Sequence, residues 1–162
     1  MEQQRQSVLA QAADSSFTGS TDKGSTNQTA AVSVGFKNLL LAILDANPYL
    51  GDGSKQALAT AARMALENGG ALTLLVIDEP GTTGRDPKTR LETLSWHMRE
   101  QGVTEYKVLE QKVTAPASVL VGDVADEIKA DLLLLSAEAV HSKFVDANQL
   151  AEFVSCPILL IP

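Results

Sequence analysis

The chain has 162 residues and a formal net charge of -7, with a pI near 4.7. That length is one domain's worth, and the acidic balance argues against a general nucleic-acid binder, which needs Lys and Arg to release counterions from phosphates. The one cysteine, Cys156, excludes an intrachain disulfide and reads as a buried thiol, and no apolar run approaches the roughly 20 residues of a membrane-spanning helix.

A soluble, intracellular, cytoplasmic protein is therefore expected. Residues 1–34 are rich in Gln, Ser, Thr and Gly and lack a sustained apolar period, so they are expected to form a disordered tail. The tail's few acids faintly suggest an organelle-targeting remnant, which would place the protein in the plastid stroma, but Arg5 is its only arginine.

Order is expected over residues 35–162. Asn38 to Leu44 is a continuous apolar run ending at Asp45, as suits a central parallel strand covered on both faces. Residues 46–53 carry turn chemistry around Pro48, Gly51 and Gly53. Asp52 or Ser54 is then expected to cap a helix to about Asn68, with Leu58, Ala61, Ala62, Ala65 and Leu66 on its buried face. Gly69 and Gly70 stop it. Residues 71–78 form a second strand ending in another acid, Asp78, and Pro80, Gly81, Gly84 and Pro87 mark a loop.

Leu91, Leu94, Ser95 and Met98 line one face of a second helix, with Trp96 packing at its edge and His97 beside the stripe. Glu105 to Val113 alternates imperfectly and carries charges, as an edge strand does. Pro116 opens a third helix with Leu120, Val121, Val124 and Ile128 buried, and Gly122 reads as a weak point costing roughly 1 kcal/mol relative to Ala. A buried strand at 132–135, a loop, a helix capped by Asp146 with Ala147, Leu150, Ala151 and Val154 inward, and a last strand Ile158, Leu159, Leu160, Ile161 complete the chain. Strand and helix alternating to five strands predict a three-layer α/β/α doubly wound parallel sheet.

The order of these elements, with the strings Leu40 to Asp45, Asp52-Gly-Ser54, Leu72 to Asp78, Ala130 to Leu135 and Cys156-Pro-Ile-Leu-Leu-Ile161, resembles the universal stress protein family within the adenine nucleotide alpha-hydrolase-like group. The resemblance spans about residues 36 to 162 and implies strand order 3-2-1-4-5, with nucleotide at the carboxyl ends of the first and fourth strands. It implies an adenine-facing Asp, matched by Asp45 through strand position or by Asp52 through its string, and an apolar contact at Val76 or Ile77. It also implies pairing of two copies, or docking of a partner, through the last strand.

The chain departs from the family after the fourth strand. Nucleotide-binding members carry a Gly-x-x-Gly string there and, further on, Gly followed by Ser or Thr. Here the stretch is Ser136-Ala-Glu-Ala-Val-His-Ser-Lys-Phe-Val-Asp146, without glycine. Phosphates are held by close-approaching backbone N–H groups, which glycine permits. Glu138 and Asp146 add negative charge in the same stretch, while His141 and Lys143 read as surface residues.

Other chemistry finds little support. There is no Cys-x-x-Cys or His-Glu-x-x-His string for a metal and no Gly-x-Ser-x-Gly elbow, and two distant histidines, His97 and His141, do not suggest a catalytic triad. A phosphorelay receiver would need paired acids after the first strand and a lysine on the fifth, and neither is present. Asp45 and Asp78, at neighbouring strand ends, read as capping or solvated groups, not as a cation site.

The expectation is a non-enzymatic domain with no catalytic or metal-binding residues. It is expected to be unable to hold ATP and to act through a homodimer or a protein partner at Ile158 to Ile161. The alternative is an ATP- or AMP-binding stress protein using Asp45, Asp52, Val76 and a rebuilt phosphate loop around Ser136, Ser142 and Lys143.

Overall fold

Five parallel strands form one sheet in a computed structural model that describes residues 35–78 and 86–162. The expected tail at 1–34 and most of the loop after the second strand lie outside the described residues. In chain order the elements are β1 (Asn38–Ile43), α1 (Asp52–Asn68), β2 (Ala71–Asp78), α2 (Pro87–Glu100), β3 (Lys107–Lys112), α3 (Ala117–Glu127), β4 (Leu132–Ser136), α4 (Ala137–His141), α5 (Ala147–Phe153) and β5 (Ile158–Ile161). The strand order is β3-β2-β1-β4-β5, as expected. In register, Leu41 stands beside Leu74 of β2 and Leu134 of β4.

Strands β1, β2 and β4 are apolar on both faces because both faces are covered. Leu39, Leu41 and Ile43 pack in one cluster with Ala57, Leu58 and Ala61 of α1 and Leu94 and Met98 of α2. Leu40, Ala42 and Leu44 pack in a second with Val121, Val124 and Ala125 of α3 and Leu150 and Val154 at α5. Each Leu, Ile, Val or Met side chain so taken from water contributes about 1.5–3 kcal/mol, which makes the central strands the stable heart of the sheet. No described helix is long and apolar enough to cross a membrane.

Several expectations are corrected. Leu66 is 53% exposed and Leu91 37% exposed, because each lies at the rim of its helix's buried stripe. Arg90 takes the inward place on α2, in line with Leu94 and Met98 at four-residue steps. Its guanidinium is buried and donates from Nη1 to Asp78 Oδ1 at 2.7 Å, tying α2 to the carboxyl end of β2. Trp96 is half exposed and meets His97 edge-on at 4.9 Å. On α5, Ala147 and Ala151 are exposed, since a helix of seven residues presents only Leu150 to the core. Cys156 is only partly buried, and that burial raises its thiol pKa.

Gly122 is more than a tolerated weak point. A Cβ there would lie 2.6 Å from the carbonyl oxygen of Phe153, so α3 and α5 touch backbone to backbone at this residue.

Candidate functional site

In a doubly wound sheet, ligands enter where neighbouring strands send their connections to opposite faces, just beyond the carboxyl ends. Here that point lies between β1, which leads to α1 on one face, and β4, which leads towards α5 on the other. A cavity of about 310 Å³ opens there.

The β1 flank is a polar turn tied down by one side chain. Asp45 Oδ2 accepts from the Gly51 N–H at 2.6 Å, and Oδ1 accepts from the Ser54 hydroxyl. The turn closes with Leu50 N–H on the Asn47 carbonyl at 3.0 Å, and the Asn47 side chain accepts from Tyr49 N–H at 2.9 Å. Leu50 is held at φ 68, a left-handed conformation that costs an L-residue roughly 1–2 kcal/mol, and its side chain is locked by burial at 2% exposure.

This arrangement corrects the expected cap. The residue before α1 is Gly51, with no capping side chain of its own. Asp52 lies in the first turn with its carboxylate fully in solvent, 3.9 Å from Lys55 Nζ. Asp45, reaching over from the strand end, instead holds the start of α1 through the Gly51 N–H and the Ser54 hydroxyl.

The β4 flank differs from the expected loop. The segment after β4 is helix α4, five residues long, whose cap is Ser136: its Oγ accepts from Glu138 N–H at 3.1 Å. Ala137, Glu138 and Ala139 are good helix formers, and with no glycine to interrupt them the chain turns back on itself at once. The Ser142 hydroxyl donates to the Glu138 carbonyl at 2.7 Å and closes the turn. Lys143 then adopts φ 64, so the segment does pass once through left-handed backbone without glycine.

The two flanks meet at close range. A Cβ on Gly53 would overlap Ser136 Oγ, so the first turn of α1 seats against the end of β4 only because residue 53 has no side chain. Position 51 brings two carboxylates together: a Cβ there would lie 3.2 Å from Asp45 Oδ2 and 3.4 Å from Glu138 Oε1.

Of the residues singled out from the sequence, Asp45, Ser136 and Ser142 line this cavity. Asp52 does not, so of the two candidate acids it is Asp45 that stands at the cleft. Val76 and Ile77 are each 1% exposed and sit in the two core clusters on opposite faces of the sheet. Lys143 lines a separate depression with Val140 and Asp146. Ile158 to Ile161 form the sheet edge beside β4, with Leu159 and Leu160 at 37% and 42% exposure.

The lining also includes residues that the sequence did not single out. Asn47, Gly51 and Phe144 are among them, and the strings around them, a Pro-containing turn and an aromatic in a polar stretch, were the available signals. Among the described residues no group of three or more His, Cys, Asp or Glu could hold a metal ion.

No family model matches the chain, and no curated protein does. Solved structures do. A universal stress protein in complex with cAMP is 20% identical at a TM-score of 0.59, covering 79% of this chain and 98% of that one. The universal stress protein from Archaeoglobus fulgidus in complex with dAMP is 19% identical at 0.59, covering 80% and 100%. A member of the family from Burkholderia pseudomallei is 22% identical at 0.55, covering 77% and 96%. With the sheet order and the position of the cleft, these likenesses establish that the chain has the universal stress protein fold.

Proposed function

We propose that residues 35–162 are a non-catalytic domain of universal stress protein type, serving a stress response, that does not hold ATP and acts through a homodimer or a protein partner along β5. One observation carries this reading: α4 stands where a phosphate-wrapping loop would be needed, and it sets the Glu138 carboxylate against Gly51 and Gly53 at the start of α1. An α-helix amino terminus attracts anions. Here a side chain of the protein already supplies the negative charge.

The edge supports the second half of the reading. Strand β5 is four residues long and, among the described residues, pairs on the β4 side alone, which leaves Leu159 and Leu160 exposed at an edge that invites a second strand. The opposite edge, β3, presents Lys107, Glu110 and Lys112 to solvent instead.

Calorimetric titration of the full chain with ATP and AMP tests the first claim: binding no tighter than millimolar is expected, and micromolar binding of either overturns it. Light scattering after size exclusion tests the second. A dimer that becomes monomeric in Leu159→Lys/Leu160→Lys is expected, and a wild-type monomer at high concentration with no captured partner overturns it.

A second reading, an AMP- or ATP-binding protein, is favoured by two specific observations. Neighbours of the same fold are complexed with cAMP and dAMP, and Lys143 shows that this segment reaches positive φ without glycine. The same titration separates the two readings.

A further inference from the structure

We propose that the outward surface between α1 and α2 docks a partner protein, taking an acidic segment of it that carries one aromatic side chain. This contact is separate from β5 and does not depend on what the cleft between β1 and β4 holds. A depression of about 700 Å³ opens there, with Tyr49 in the turn before α1 and Lys55 of α1 on one side, and Glu92, Trp96, His97 and Arg99 of α2 on the other. The chain has one Trp and two Tyr, and this surface holds the Trp and one Tyr, 51% and 63% exposed. Trp, Tyr and Arg dominate binding energy at protein interfaces, since each covers a large area and keeps a polar handle. The edge-on contact with His97 holds the Trp96 ring in place, which lowers the ordering cost of a partner landing on it.

Charge decides the kind of partner. The chain carries a net charge of -7, yet this depression is lined by two cations, Lys55 and Arg99, and one acid, Glu92. Glu92 is already faced by Lys88 Nζ at 4.0 Å, and Lys55 is faced by Asp52 at 3.9 Å. Arg99 takes part in none of the ion pairs among the described residues. At His97 the charge of Lys55 outweighs that of Glu100. The surplus is therefore positive and centred on Arg99, three residues beyond Trp96 on α2. A carboxylate paired with the Arg99 fork and a ring laid on Trp96 and Tyr49 satisfy both features within one short segment. Nucleic acid fits less well, because it presents many phosphates to a chain that is acidic as a whole.

Trp96 is the chain's one tryptophan, so its fluorescence reads this surface directly. The full-length chain is titrated with the terminally blocked peptide Glu-Asp-Phe-Glu-Asp-Leu, with the same peptide carrying Lys for each acid, with a version carrying Ser for Phe and Leu, with oligo-dT, and with vesicles of anionic phospholipid. A saturable change with the first peptide alone is expected. Arg99→Gln is expected to weaken it about ten-fold. Lys107→Gln, the same loss of charge on the edge strand β3, is expected to leave it unchanged. Both side chains are exposed, so the fold survives either replacement, which thermal unfolding verifies. No saturation up to millimolar peptide, an equal response to the Lys or Ser peptide, equal weakening in the two variants, or a stronger response to oligo-dT or vesicles would each overturn the inference. A change in Trp96 emission on raising the protein concentration alone would assign the surface to a second copy and overturn it too.

Discussion

On the β1 side of the cleft the chain leaves its strand through a turn held by Asp45, with glycines at 51 and 53 letting backbone come close. On the β4 side it leaves through Ser136 directly into α4, where Ser136 Oγ takes the Glu138 N–H and the Glu138 carbonyl takes the Ser142 N–H. The contrast shows that a ligand cleft can persist in a fold while one of its walls changes its chemistry. The β1 wall is built for close backbone approach, and the β4 wall is built for its own local stability.

The largest effect is expected on the first wall. Asp45→Ala removes the acceptor for Gly51 N–H and leaves the buried Ser54 hydroxyl without its partner, a loss of about 2–3 kcal/mol in urea unfolding. If stability is unchanged, the turn is held by something other than that carboxylate. Next comes the seam between the walls: Gly53→Ala forces Ser136 aside and should cost about 1–2 kcal/mol net of the gain in helix propensity. A stabilised variant would show that the two walls are not in contact.

On the second wall the sign reverses. Lys143→Gly relieves a left-handed lysine, with an expected gain of up to about 1 kcal/mol in the same assay. No gain would mean the residue is held there without strain.

The smallest effect is a pH dependence. Burial, and then the nearby charge of Lys55 on the β1-side helix, lower the His97 pKa below 6.5. The unfolded chain therefore binds the proton more readily, so stability is complete above pH 6.5 and declines as pH falls through the lowered value. His97→Gln should flatten that acid limb slightly in thermal unfolding, and an unchanged limb would assign it to other groups.

The scaffold was legible because β1, β2 and β4 are nearly continuous aliphatic runs, broken inside only by Thr73 of β2, as suits strands covered on both faces, and because the charged β3 marked itself as an edge. Arg90 was not legible: nothing in a helical stripe says that a guanidinium will point inward until the end of β2 supplies Asp78 opposite it. Leu66 and Ala151 were misplaced for the reverse reason, since periodicity gives the direction of a face but not its width. At the cleft, Asp45 could be named but not chosen over Asp52, because that choice depends on how far the turn carries the chain before α1 begins. The helix after β4 did leave a signal, a serine followed by Ala-Glu-Ala-Val, which the missing glycines overshadowed.

The contact of Gly122 with Phe153 has a mechanical implication. Helices α3 and α5 cannot slide past each other at that point, and only four residues separate α5 from β5. Strand β5 therefore has two anchors, its short connection to α5 and its pairing with β4, where Leu159 stands beside Leu134 and Leu160 beside Leu135, so a load applied at Leu159 and Leu160 reaches the strand whose end, Ser136, seats against Gly53.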